Sequence, residues 1–251
     1  MKEWILGRNP VYEVLRAGRR EPLRLLVAQG AEEKGRLAQI IQIAAGRKLA
    51  VERAPRPRLE SMGENSQGVA LEAAGYPYSD LTEILSLAET RQEPLFVLIL
   101  DVIQDPQNLG TLLRTAEAAG VHGVLLPLRR AAGVTPAVVH ASSGASEHLL
   151  VAQANLHQAI ETLKQAGAWV IGLEGSPEAQ PVEKTRLDGP LALVVGSEGE
   201  GMRLLVRSSC DLLVRLPMLG QIESLNAAVA GSIVLYLALQ ARQKKSPAVS
   251  K

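Results

Sequence analysis

Apolar and polar positions fall into blocks along this chain, and each block carries the period of a recognisable element. In the first part, short apolar runs at 23–28, 49–53 and 69–73 predict buried strands, each bounded by Gly, Pro or charged residues. Asn9-Pro10 reads as a helix start, with Asn as cap and Pro at the first helical position, and that helix runs to Ala17-Gly18. A second helix is expected over 32–46. The GYPY stretch at 75–78 breaks the pattern, and a polar helix around 80–89 ends before Glu93-Pro94, so 75–93 reads as a linker. Beyond it the alternation resumes on a larger scale. Strands are expected at 95–100, 123–126, 169–173, 191–195 and 212–216, and helices near 109–119, 156–166 and 225–240, with a short one after Gly201. The near-continuous apolar runs FVLIL and LALVV suit strands of a parallel sheet covered on both faces. The pattern predicts two α/β domains, a small one at 1–74 and a larger one at 94–243, followed by a polar tail at 244–251.

Length and composition narrow the classes. A chain of 251 residues can form one large or two modest domains with sizeable cores. Aromatic residues make up 3%, which argues against RNA recognition across a broad stacking platform. One cysteine, Cys210, excludes an internal disulfide framework and any multi-cysteine metal site, and it points to a reducing compartment. No stretch reaches the ~18 consecutive apolar residues of a membrane span. The opening MKEWILGRNP lacks the apolar core of a signal peptide. A cytoplasmic protein with no membrane partner is therefore expected. The net charge of +1 decides nothing alone, but residues 1–74 hold 13 Lys/Arg against 9 Asp/Glu, whereas 75–251 hold 14 against 17. That skew suits a basic N-terminal module facing a polyanion, and ordinary surface scatter accounts for it equally well.

Three stretches share one design, an apolar run emptying into a polar, glycine-bearing loop that then opens a helix. They are DVIQDPQNLGTLLRTAEAAG at 101–120, LALVVGSEGEGM at 191–202 and LVRLPMLGQIESLNAAVAG at 213–231. Such strand-to-helix loops at the carboxyl edge of an α/β sheet are where these proteins bind ligands, so the three suggest one composite site. In loop one, Asn108 stands where a helix cap would, and Arg114 lies about one and a half turns into a helix counted from Leu109. An arginine near a helix start is favoured only where an anion sits. Loop two, GSEGEG at 196–201, has the wrong glycine spacing for a dinucleotide fingerprint and no Gly-Lys-Ser/Thr of a phosphate loop. Its two glutamates favour a neutral or cationic ligand part. In loop three, the Ala/Gly-rich helix start admits either close helix packing or a flat ligand, and Ser224 with Asn226 fits the second better.

Other chemistry is absent or undecided. His122, His140, His148 and His157 lack paired metal-ligand spacing, so no metal is expected. Cys210 carries no local nucleophile signature and reads as a buried structural thiol. Arg129-Arg130 fits a phosphate contact and a solvated pair equally.

In order, the three loops resemble the three motifs of the SpoU–TrmH family of RNA ribose 2′-O-methyltransferases, within the SPOUT superfamily. Asp105-Pro106-Gln107-Asn108-Leu109-Gly110 with Arg114 is similar to the first motif, Gly196-Ser197-Glu198-Gly199 to the second, and Leu216-Pro217-Met218 with Ser224-Leu225-Asn226 to the third. Gly7-Arg8-Asn9-Pro10-Val11 and Gln67-Gly68-Val69 resemble the opening and closing turns of the family's N-terminal substrate-binding domain. The resemblance implies a SPOUT-type parallel-sheet domain with a trefoil knot, a small L30e-like RNA-binding domain, S-adenosyl-L-methionine as methyl donor, and a homodimer. It is nearest to bacterial large-subunit rRNA (guanosine-2′-O-)-methyltransferases.

The resemblance also assigns roles. Gly196, Leu216 and Leu225 would hold the cofactor, largely through backbone groups, and Asn108, Arg114, Glu198, Ser224 and Asn226 would form the catalytic constellation. Arg114 is implied as base or as orienting group. Keeping any guanidinium neutral at pH 7 costs roughly 7 kcal/mol, which favours a role in holding phosphate and ribose. The chain departs from the pattern at Ala227-Ala228, where Val-Ser is common, and at Ser66, where His commonly precedes Gln-Gly. A tRNA ribose methyltransferase and a non-catalytic RNA-binding or ribosome-assembly protein stay open as alternatives.

Overall fold

The computed structural model describes residues 2–63, 65–197 and 199–245. The chain forms two compact units. The smaller contains Met1–Pro77 and, by an excursion of the chain, Val134–His148; the larger contains Tyr78–Gly133 and Leu149–Lys251.

In the smaller unit the elements run β1 (Lys2–Leu6), α1 (Arg8–Ala17), β2 (Pro22–Ala28), α2 (Arg36–Gly46), β3 (Val51–Ala54), α3 (Arg56–Glu60) and β4 (Val69–Ala74). The four strands order β1-β4-β2-β3, with β4 antiparallel to both neighbours and β2 parallel to β3. β1 was not foreseen. The helix start also moves: Gly7, in a left-handed conformation at φ 92°, caps α1, so Asn9 is helical rather than the cap. Gly18 closes α1 in the left-handed conformation expected of a helix-ending glycine.

The larger unit begins with α4 (Leu81–Arg91) and continues through β5 (Phe96–Asp101), α5 (Pro106–Ala118) and β6 (Gly123–Pro127). After the excursion, which holds α6 (Pro136–Ala141), come β7 (Leu150–Ala154), α7 (Leu156–Gln165), β8 (Trp169–Leu173), β9 (Gln180–Pro181), β10 (Leu191–Gly196), α8 (Leu204–Ser208), β11 (Leu212–Arg215) and α9 (Ala227–Lys245). Seven strands form one sheet in the order β7-β6-β5-β10-β8-β11-β9, all pairs parallel. β5 and β10 lie in the middle and are buried along their whole length, as their continuous apolar runs require. The expected linker at 75–93 holds α4, whose Ile84 is fully buried in the sheet's core. A Cβ on Gly123 would sit 2.4 Å from Ile84, so α4 presses directly on β6. The expected tail at 244–251 lies, from Ser246 on, outside the described residues.

A buried histidine gives this sheet a pH dependence. The Phe96 N–H donates to His122 Nδ1 at 3.0 Å, so Nε2 carries the proton and donates to Glu93 at 3.0 Å. Burial lowers the His122 pKa below its ordinary 6.5, with Glu93 opposing. An imidazole with a depressed folded pKa favours its neutral form in the fold, so its contribution to stability is fully present above pH 6.5 and is lost as pH falls through the folded value. The melting temperature is expected to drop between pH 7 and pH 5 more steeply in the wild type than in His122→Gln. Equal slopes would assign the acid sensitivity to other groups.

Candidate active site

β5 and β10 are neighbours, yet the chain leaves β5 towards β6 on one side and reaches β8 on the other. That makes their carboxyl ends a topological switch point, where crevices open in parallel sheets. Loop one follows β5, loop two follows β10, and loop three follows β11, so all three emerge at this edge.

Loop two folds back on itself. Ser197 and Gly201 exchange backbone hydrogen bonds at 3.1 and 3.0 Å, with Gly201 left-handed at φ 68°. The returning backbone lies against Gly196: a Cβ there would be 2.3 Å from the Gly201 carbonyl carbon and 2.4 Å from the Met202 nitrogen. Only glycine fits. Beside it opens a cavity of about 480 Å³. Gly196, Leu216, Ser224 and Leu225, all expected at the site, line it. Leu173, Met202 and Met218 supply apolar wall, while Glu174, Glu200, Glu223 and Arg207 supply charge.

Arg207 forks onto Glu174 at 2.7 and 2.9 Å and reaches Glu178 at 3.3 Å. The guanidinium holds the Glu174 carboxyl below the usual carboxylate range. With its one cation so paired, the lining is acidic and repels a polyphosphate. It suits a ligand with a cationic centre and hydroxyl groups, and its volume falls within that of small-molecule sites.

Loop one joins from the side. Asp105, not Asn108, caps α5, accepting from the backbone N–H groups of Gln107 and Asn108 at 3.2 and 3.1 Å with Pro106 at the first helical position. Asn108 is thereby released for another task. Its side-chain oxygen accepts from Asn226 Nδ2 at 3.1 Å, while Asn226 Oδ1 caps α9 through the N–H groups of Ala228 and Val229. The helix starts of loops one and three are thus tied by two amides. Because α5 begins at Pro106, Arg114 is about two turns in and exposed, further from the helix start than the spacing from Leu109 implied. Arg114 and the Asn108–Asn226 pair stand apart from the cavity lining, and Glu198 lies outside the described residues. Just before loop one, Val102 is buried at φ 62°. A β-branched residue in that region costs about 1–3 kcal/mol, held by surrounding contacts.

Residues 95–236 match the SpoU rRNA Methylase family, more than half of the chain. The chain belongs to this family. Residues 4–79 match the model of RNA 2′-O ribose methyltransferase substrate binding. A Bacillus subtilis protein named as a TrmH family tRNA/rRNA methyltransferase is 40% identical over 98% of this chain and 97% of its own. The SpoU methyltransferase AviRb from Streptomyces viridochromogenes, solved in complex with AdoMet, superposes with a TM-score of 0.80 at 22% identity, over 97% of this chain and 91% of that one. The TrmH/SpoU tRNA modifying enzyme of A. aeolicus covers 66% of this chain and 83% of its own, with a TM-score of 0.55 and 25% identity.

The SpoU chain is thus an RNA methyltransferase, and its family uses S-adenosylmethionine. The acidic, glycine-cradled cavity fits that donor. Among the described residues no cluster of His, Cys, Asp or Glu is placed to hold a metal ion, and no helix is long and apolar enough to cross a membrane. Cys210 is partly buried rather than fully buried, and desolvation pushes its thiol up to about 12. Glu174, Arg207 and Glu223 were not foreseen. The apolar run 169–173 ending in Glu174-Gly175 repeats the strand-to-loop design of the other three and was the available signal.

Proposed function

We propose that this SpoU-family chain methylates a ribose 2′-hydroxyl of RNA, with a guanosine of large-subunit rRNA as target. The observation that carries the reading is the Asn108–Asn226 hydrogen bond, which ties the start of α5 in loop one to the start of α9, whose Ala227 and Ala230 line the cavity. When bound, S-adenosylmethionine supplies a methyl group activated by a sulfonium. Gly196, Leu216 and Leu225 hold it through backbone groups, and the acidic lining favours its positive centre. Asn108, Ser224 and Asn226 orient the nucleotide. Arg114, charged and exposed, grips the adjacent phosphate and turns the ribose hydroxyl towards the cavity.

The smaller unit serves as the RNA-binding module and the larger as the methyl-transfer unit. The match of residues 4–79 to a substrate-binding family favours rRNA over tRNA, since the A. aeolicus tRNA enzyme covers only 66% of this chain. The reading includes a homodimer. Val229, Ile233 and Tyr236 form an exposed apolar stripe on α9, and Leu219 and Ile222 of loop three, which precedes that helix in the chain, are exposed as well. Sedimentation equilibrium reads that state directly.

The deciding experiment is labelled methyl transfer onto rRNA and tRNA pools from a strain lacking the protein, with mapping of the modified nucleotide. Label on a ribose of large-subunit rRNA is expected; label on tRNA or on a base overturns the reading. Arg114→Lys is expected to weaken RNA binding and lower the single-turnover rate without changing its pH profile. A profile displaced towards the lysine range would make residue 114 the base.

A further inference from the structure

The cavity walls leave unexplained a fully buried carboxylate next to them. Asp101 ends β5 directly opposite Gly196, which ends β10, and the two are paired in register. Its oxygens are both taken by one residue. Oδ2 accepts from the Arg203 backbone N–H at 2.7 Å, and Oδ1 accepts from Arg203 Nε at 2.8 Å and faces Nη2 at 2.7 Å. Arg203 directly follows Met202, the point where loop two rejoins the fold.

We propose that Asp101 is a positioning residue for the cofactor cavity, clamping the returning end of loop two against Gly196. A buried charge is costly beside an apolar side chain of similar size, so packing alone gives no reason for one here. The carboxylate fixes a backbone N–H as well as a side chain, and that N–H belongs to the stretch pressed on Gly196. Gly201 and Met202 therefore meet Gly196 without relying on a bound ligand to hold them. Asp101 also precedes Val102, whose left-handed turn launches loop one, and Ile103, whose carbonyl accepts from the Ala132 N–H at 2.9 Å. One side chain thus sits where loop one departs and loop two returns. The Arg203 side chain is itself 41% exposed, so it supplies a charge partner without being part of the core.

The inference rests on the cavity being the cofactor site. Its test uses the full chain and three variants. Asp101→Asn keeps the size and one acceptor, Arg203→Gln keeps the backbone hydrogen bond, and Arg203→Lys keeps the charge. Calorimetry with S-adenosylhomocysteine is expected to show affinity lowered roughly tenfold or more in Asp101→Asn, less in Arg203→Gln and least in Arg203→Lys, the range for losing a charged hydrogen bond. In the ligand-free protein, amide exchange at Gly201, Met202 and Arg203 should quicken selectively, and RNA affinity should stay within about twofold. Unchanged ligand affinity in the folded variants overturns the proposal. So does exchange that quickens evenly across the sheet along with a lower melting temperature, which would make the pair purely structural. A wild type that binds no S-adenosylhomocysteine would instead remove the site assignment itself.

Discussion

Gly196→Ala is expected to abolish S-adenosylmethionine binding while the larger unit stays folded. The added methyl would lie 2.3 to 2.6 Å from three backbone atoms of Gly201 and Met202, and backbone cannot swing aside as a side-chain tip can. Over-packing of this kind costs about 1–3 kcal/mol. Relief comes most readily from the thin, re-entrant loop two, because β10 is held on both sides by β5 and β8. The loop must then lift and the cavity lose a wall. Calorimetry should detect no binding at ligand concentrations about a hundred times the wild-type Kd, with a melting temperature only a few degrees lower. Gly220→Ala is the matched control, since a Cβ there meets nothing within 4 Å. An affinity for Gly196→Ala within a few-fold of wild type would mean that the Gly196–Gly201 contact is not a cavity wall.

The second large effect belongs to the smaller unit. Arg20 and Glu147 are completely buried and form a two-pronged pair, Nε to Oε2 and Nη2 to Oε1, both at 2.9 Å. Nη1 reaches Glu3 at 2.7 Å, and the guanidinium lies 5.0 Å from the Tyr76 ring centre. The Tyr76 hydroxyl donates to the Ser146 carbonyl at 3.0 Å, and burial pushes its pKa up to about 12. Glu147→Ala strands a buried cation, and breaking such a pair costs about 3–5 kcal/mol. Replacing both partners, as in Arg20→Met with Glu147→Leu, should recover most of that loss. In a Trp169→Phe background, the fluorescence of Trp4 on β1 reports unfolding of this unit. A single variant losing less than about 1 kcal/mol would show that water or Glu3 compensates the charge.

How much of this was legible depends on the range over which each signal acts. β5 and β10 announced themselves because both faces are buried and the apolar run is unbroken. β7 (LVAQA) was missed, since its exposed Gln153 and edge position leave only a weak apolar pattern. In loop one Asn108 reads as the cap, and the structure gives that place to Asp105, three residues earlier. Pro106 settles the choice, because proline is favoured at the first helical position and so places the cap before it. The site glycines and the Ser224–Asn226 pair were readable as loop chemistry. Arg207 with Glu174, 33 residues apart, and Arg203 with Asp101, 102 apart, were not. Such pairs are set by strand order, which no local period encodes.

The excursion Val134–His148 bears on how this chain can be divided. Its boundary with the larger unit falls at three places in the sequence, at 77/78, 133/134 and 148/149. A fragment cut at Pro77 would therefore lack Glu147 and Ser146, leaving Arg20 without its forked partner and Tyr76 without its acceptor. Exchanging the smaller unit between relatives by a single splice would transplant an incomplete fold. A working chimera needs two donor segments, with 134–148 travelling alongside 1–77.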